Sequence, residues 1–255
     1  MANAPGALPA RAPRSERQVR TDLAAAYRMA ALNGWDDTVY THLSASVPGE
    51  PGHYLINPFG ATFDEITASS LVKVNVAGQV VDGSGARVNP SGFALHGAVH
   101  AARPEVECVI HLHTPWGVAL SMLPGGLQPT SQGAMRLYGR MGRHADEGLA
   151  LGDQEQQRLV QRLGRLDGLM LDNHGPLVVG RSVAEAWMLA HILERAAQAQ
   201  LRAMAAGGGV VQAVSPQLAE LTQRQWVGDG SEWDGDLEWP ALLRRLDRQG
   251  TGYRD

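Results

Sequence analysis

The sequence predicts a layered α/β domain with a partly antiparallel sheet. Three observations carry this reading. Short β-prone runs come in hairpin-like pairs, long stretches between them show three- and four-residue apolar spacing, and the apolar run Val106 to His113 reads as a central strand. The chain has 255 residues, 44% hydrophobic and 19% charged, an ordinary globular balance long enough to bury a sizeable core.

Taken in order, residues 1–14 read as a flexible leader, with prolines at 5, 9 and 13 and little apolar surface to offset the entropy of ordering. From Ser15, apolar positions Val19, Leu23, Ala26 and Met29 predict a helix that Asn33-Gly34 ends. His42–Val47 and Tyr54–Asn57 read as strands joined through Pro48-Gly49 and Pro51-Gly52. Val72–Val76 alternates and turns at Ala77-Gly78 into Gln79–Val81, a second hairpin. A helix is expected over Ser91–Ala102, closed by Arg103-Pro104, and another over Asp153–Leu166. Leu169–Leu171 and Leu177–Val179 flank the turn Asn173-His174-Gly175-Pro176, and a long helix follows over Ser182–Ala205. The body is then one domain over 15–206. Residues 207–255, polar but with Trp226, Trp233 and Trp239, read as a tail packed on the body or on a neighbouring subunit.

Composition removes several function classes. A net charge of -4 with no Lys/Arg cluster leaves no counterion-releasing surface for nucleic acid. No apolar stretch approaches the roughly 20 residues of a membrane span, and the opening residues lack the apolar core of a signal peptide. Cys108 is the single cysteine, so no intrachain disulfide forms, and its apolar surroundings make it a small core residue. A cytoplasmic, membrane-free protein is expected. Gly207-Gly208-Gly209 follows a helix rather than a strand and is therefore a terminator, not a phosphate loop.

The sharpest chemical signal is His111-Leu112-His113. In a strand, side chains alternate faces, so both imidazoles project to one side while Leu112 enters the core. Alone, such a pair reads equally as decoration of a solvated face. His174, in a tight turn beside Gly175, adds a third imidazole aimed from a second stretch of chain. Three nitrogens with open positions are the arrangement of a catalytic rather than a structural divalent site, with zinc first and iron, manganese or cobalt as alternatives.

These residues also carry a resemblance. Pro58-Phe59-Gly60, Thr67 to Lys73, Gly92-Phe93-Ala94-Leu95-His96, Ala101 to Pro104, His111 to Pro115 and Asn173-His174-Gly175 resemble the class II aldolase/adducin family, over roughly Ser15 to Met204. The resemblance implies a three-layer α/β/α fold with a central mixed, largely antiparallel sheet. It also implies homotetramers with sites at subunit interfaces, and a divalent metal on His111, His113 and His174.

The same comparison shows departures. Sugar-phosphate aldolases of this family carry a carboxylate acid/base where this chain has Gly92. Where they bind phosphate with a glycine-asparagine pair and paired serines, this chain has Thr41-His42 and Pro90-Ser91. These changes resemble the adducin-like branch, whose own heads have lost the metal histidines that this chain keeps. The expected activity is that of a metal-dependent lyase or decarboxylase polarising the carbonyl or enolate of a small, non-phosphorylated oxygenated substrate. Alternatives are a non-haem Fe(II) oxygenase resembling those of aminocoumarin pathways and an adducin-like interaction protein without turnover.

Another group must then move the proton, and the candidates are His42, His96, Tyr138, His144 or a metal-bound water, with Tyr138 and His144 in a Gly/Arg-rich loop able to reach a neighbour's site. His96, on a helix among apolar residues, reads as a satisfied core histidine. Asp64 and Glu65 read as helix caps, Glu185 and Glu194 as members of ion pairs, and Trp116 and Trp187 as packing residues.

Overall fold

The structure, a computed structural model, describes residues 14–148, 152–212, 214–227, 235 and 237–255. Ser15 opens α1 (Glu16–Leu32) with a reciprocal cap: its hydroxyl accepts the Gln18 N–H while the Gln18 side chain accepts the Ser15 N–H. The expected stripe of Val19, Leu23, Ala26 and Met29 is buried. Arg14, the last residue of the expected leader, is tied down by ion pairs to Asp22 and Glu107, which moves the boundary back by one residue. The rest of that leader lies outside the described residues.

The strands are β1 (His42–Ser46), β2 (His53–Ile56), β3 (Val72–Asn75), β4 (Cys108–His111), β5 (Met141–His144), β6 (Gly168–Leu171) and β7 (Gly175–Gly180). They form one sheet in the order β3-β2-β1-β4-β7-β6-β5, in which only β5 and β6 pair parallel. The sheet is thus mixed and largely antiparallel, and β4 is its central strand. Between the strands run α2 (Pro90–Ala102), α3 (Pro115–Ser121), α4 (Gln132–Arg136) and α5 (Asp153–Leu163). After β7 come α6 (Val183–Ala206), α7 (Pro216–Val227) and α8 (Trp239–Gln249).

Period-two alternation sorts the strand residues between two cores. Leu43, Ala45, Ile110, Met170 and Val178 face a large core with Leu23 and Tyr27 of α1, Trp187 and Leu193 of α6, and Trp239 and Leu246 of α8. Val109, Leu169, Leu177 and Val179 face the other side, against Leu95 and Val99 of α2 and Leu159 and Leu163 of α5. This is the three-layer α/β/α arrangement. Among the described residues no helix is long and apolar enough to cross a membrane.

The structure departs from the sequence expectations in three places. The second hairpin closes through a single bridge, Val74 to Val80, because the Asp82 carboxylate takes the Lys73 N–H. The helix at 153 stops at Leu163, where Gly164 turns to φ +48. The segment read as a Gly/Arg-rich loop instead holds α4 and β5. The tail, expected to pack on the body or on a neighbouring subunit, contains the two helices α7 and α8. α8 sends Trp239 and Leu246 into the same core as α1, the Trp239 indole N–H donates to Asp22 at 2.9 Å, and Ala68 N–H donates to the Tyr253 carbonyl at 2.9 Å. In this chain the tail closes on its own body. Trp233 lies outside the described residues.

Tyr27 is the main polar tie between α1 and the sheet. Its fully buried hydroxyl donates to the Leu43 carbonyl or to Asn57 Oδ1 and accepts the Leu43 N–H at 2.8 Å. Tyr27→Phe leaves that strand N–H and the Asn57 carboxamide without their partner, and a loss of about 1–3 kcal/mol is expected in denaturant unfolding.

Candidate metal centre

β4 delivers His111 at its last paired residue, opposite Leu177 of β7 and His42 of β1. Pro176 has no N–H to continue the β7 ladder, and the strand stops there. His113 therefore lies just past the strand, in the segment that leads into α3, and not on the strand as the alternation argument placed it. Leu112 enters the core as expected, at 1% exposure.

His174 comes from the turn between β6 and β7. Asn173 takes a left-handed conformation (φ 58) and Gly175 a φ of 155. A Cβ at 175 would lie 2.8 Å from the Leu112 carbonyl oxygen, so only glycine lets this turn pass so close to the His113 segment. Arg143 at β5 clamps the same corner. Its guanidinium donates to the Leu123 carbonyl at 2.7 Å, to the Ser121 carbonyl at 3.1 Å and to Asp172 Oδ1 at 2.5 Å. On the other side, Glu194 of α6 accepts the N–H groups of Trp116 at 3.1 Å and Gly117 at 2.8 Å, which pins the start of α3 next to His113. The expected ion pair at Glu194 is thus a helix cap, whereas Glu185 does pair with Arg181.

The three imidazoles converge. His174 Nε2 lies 3.2 Å from His111 Nε2 and 2.9 Å from His113 Nε2. The opposite ring nitrogens decide what those atoms carry. His111 Nδ1 lies 3.1 Å from the Pro176 carbonyl, and His113 Nδ1 lies 2.8 Å from Asp37 Oδ2. A carbonyl and a carboxylate only accept, so both Nδ1 atoms hold a hydrogen, and in the neutral ring that leaves Nε2 as the lone pair. Burial holds His111 well below the ordinary imidazole range and also lowers His174. A single His174 N–H cannot satisfy two lone pairs well, whereas a cation accepts all three. The donor set fits one divalent ion on three neutral Nε2 atoms, each of two rings braced from behind by an acceptor.

His42 stands beside this centre on β1, its ring 5.4 Å from that of His111. Burial pushes its pKa down to about 3. Gly92, which stands where the sugar-phosphate aldolases carry a carboxylate, lies directly against it: a Cβ at 92 would sit 2.6 Å from His42 Cδ2 and 2.9 Å from Nε2. The His42 ring fills the space that a side chain at 92 would need. Tyr138 and His144 do not join the cluster within one chain. Tyr138 follows α4, and His144 ends β5 opposite Leu171 with Nε2 3.7 Å from Glu147. Asp64 and Glu65 cap a short 3-10 turn with Thr62, as expected. Sequence reasoning missed Asp37, Arg143 and the Pro176 carbonyl. Each acts across 29 to 76 residues of chain and leaves no local pattern.

Residues 21–201 match the class II aldolase and adducin N-terminal domain family, and the chain belongs to it. It is 45% identical to a Caulobacter vibrioides protein provisionally named a class 2 aldolase, over 99% of this chain and 100% of that one. It is 40% identical to rat alpha-adducin over 94% of this chain but only 35% of the adducin. Among solved structures, an aldolase II superfamily protein from Pseudomonas syringae superposes with TM-score 0.89 at 43% identity, covering 96% of this chain and 98% of the other. An L-fuculose 1-phosphate aldolase from Glaciozyma antarctica superposes with TM-score 0.84 at 33% identity, covering 94% and 93%.

Asp37 is half exposed and braces only His113, so its removal should leave the fold intact. Asp37→Ala is expected to weaken zinc binding by roughly 10–100-fold in a chelator competition, with an unchanged unfolding midpoint for the zinc-free protein.

Proposed function

We propose that this chain is a metal-dependent lyase of the class II aldolase type, acting on a small oxygenated substrate without a phosphate. The observation that carries the proposal is the convergence of His111, His113 and His174 through Nε2, with two of the rings oriented by Pro176 and Asp37. A bound divalent ion supplies Lewis-acid polarisation of a substrate oxygen there, with zinc favoured by the all-nitrogen donor set and iron, manganese or cobalt compatible with it.

The chain's own residues supply the proton chemistry. His42 is neutral because of its burial, and it adjoins the centre from the neighbouring strand. It takes the place of the carboxylate that Gly92 lacks, accepting the substrate proton at Nε2 and returning it after bond cleavage. Its neutrality before reaction distinguishes it from a carboxylate, which would add a negative charge beside the ion.

One contact supports a substrate without phosphate. The Ser91 hydroxyl, at one of the positions that hold phosphate in the sugar-phosphate enzymes, donates to Asn89 Oδ1 at 2.9 Å and is thus engaged inside the protein. The relative named as an L-fuculose 1-phosphate aldolase makes that sugar phosphate the natural competing substrate. The proposal extends to a homotetramer in which Tyr138 and His144 of one copy approach the centre of another, since neither reaches it within one chain.

Three measurements test the reading. Purified protein is expected to hold about one divalent ion per chain by elemental analysis, and His111→Ala to lose it. Retro-aldol and decarboxylation assays on non-phosphorylated hydroxy-carbonyl compounds should show turnover without oxygen uptake. Better turnover of L-fuculose 1-phosphate, or oxygen consumption, would contradict the proposal. Gly92→Ala should displace His42 and lower kcat by roughly 10²–10⁴-fold while metal content is retained.

A further inference from the structure

Backbone strain is concentrated at the metal centre. Among the described residues only two that are not glycine take a positive φ, Thr38 at 51° and Asn173 at 58°. Asn173 directly precedes His174, and Thr38 directly follows Asp37. The two are not equivalent. Asparagine is tolerated in the left-handed region, whereas a β-branched threonine is a strained occupant there. Such strain persists only where the surrounding contacts over-determine the backbone.

The contacts around Thr38 do so. The Tyr40 N–H donates to the Asp37 carbonyl at 2.9 Å, closing a four-residue turn with Thr38 as its first central residue. Of the two central residues only Thr38 has a positive φ, the pattern of a type II′ turn, which ordinarily takes glycine at that place. Upstream, the Trp35 N–H donates to the Ala30 carbonyl of α1 at 2.9 Å. The buried Trp35 indole stacks on Trp187 of α6, with ring centroids 5.2 Å apart and planes 29° from parallel. Downstream, Asn89, the cap of α2, donates through Nδ2 to the Tyr40 carbonyl at 3.3 Å, and His42 begins the paired strand β1.

Asp37 lies between these anchors, and its Oδ2 accepts the His113 Nδ1–H at 2.8 Å. Its side chain is 47% exposed and Thr38 is exposed, so burial holds neither in place. The path of the backbone is what directs the carboxylate. With Trp35 and Tyr40 fixed, a negative φ at 38 would re-aim the peptide between Asp37 and Thr38 and draw the carboxylate off His113.

We propose that the 35–40 segment is a brace for the metal centre, in which Trp35 and Thr38 are positioning residues. The anchored, strained turn aims the Asp37 carboxylate at His113 Nδ1 and so holds His113 Nε2 toward His111 and His174. The use of this brace for an ion rests on the reading of the three histidines as a metal site; the aim of Asp37 does not.

Two readouts on the full-length protein test the brace. The first is a 1H–15N correlation spectrum of the zinc-free chain labelled at histidine, in which the ring N–H signal lost in Asp37→Ala identifies His113. Thr38→Gly, which takes a positive φ without strain, should keep that signal. Thr38→Pro, whose ring fixes φ at about −65°, should lose it. The second is chelator competition. Thr38→Pro should weaken zinc binding by roughly 10–100-fold, as Asp37→Ala does, while Thr38→Gly binds as the wild type does. The Thr38→Pro/Asp37→Ala double variant should bind no more weakly than Asp37→Ala alone, because both changes remove the same contact. Losses that add, a His113 signal kept in folded Thr38→Pro, or one lost in Thr38→Gly would each overturn the proposal. Should Thr38→Pro fail to fold, Trp35→Leu, which keeps apolar bulk without the stacked ring, decides by the same two readouts, with Trp35→Phe expected to restore both. A chain that bound no zinc would remove the metal reading, and the zinc-free signal would still decide the role of the turn.

Discussion

Two imidazole lone pairs, each forced toward the same point by an acceptor behind the ring, are the constraint on which the rest of this site depends. His111 and His113 donate their Nδ1–H groups to the Pro176 carbonyl and the Asp37 carboxylate, so in the neutral rings the Nε2 atoms are the lone pairs. Such atoms facing one another in a partly buried pocket are costly unless something positive joins them. His174 closes the set from a third segment. Neutral nitrogens also suit a catalytic ion, because they leave its charge largely uncompensated and available to a substrate oxygen.

The fold exists around this point in a specific way. β4 occupies the middle of the sheet and is paired on both sides, which fixes His111. The same β7 strand supplies the Pro176 carbonyl and begins at the turn that carries His174, so one pairing register sets two of the three clustered histidines at once. The helical layers then lock what the strands cannot. Glu194 of α6 pins α3 beside His113, and Arg143 of β5 ties the His174 turn to the end of α3. On the opposite face, α2 brings Gly92 against His42, and absence of a side chain at 92 becomes room for an imidazole. The position that first reads as a lost catalytic group is also the position that makes room for the His42 ring.

Much of this was legible from residue patterns. The capping of α1, the central strand and the long α6 follow from local spacing, and the three clustered histidines stand in motifs dense enough to mark them and the family. What was not legible has a common physical cause. Asp37 meets His113 across 76 residues, and Arg143 meets Asp172 across 29, through side chains whose pairing depends on the folded register alone. β5 is four residues long and paired on one side only, so its parallel partner β6 rather than its own sequence makes it a strand. The tail's helices are short and polar and became recognisable only as packing partners of α1 and α4. His96 was read correctly as buried, but its contacts with His42 and the Ser44 hydroxyl were not legible, because the spacing of residues on one helix does not reveal the side chains of the facing strand.

The identity of the donor atoms is the central claim, and X-ray absorption at the zinc edge of the zinc-loaded protein tests it most directly. The account predicts three imidazole nitrogens at about 2.0–2.1 Å, with the remaining coordination from oxygen. A spectrum showing fewer than three imidazoles, or sulfur in the first coordination sphere, would contradict it.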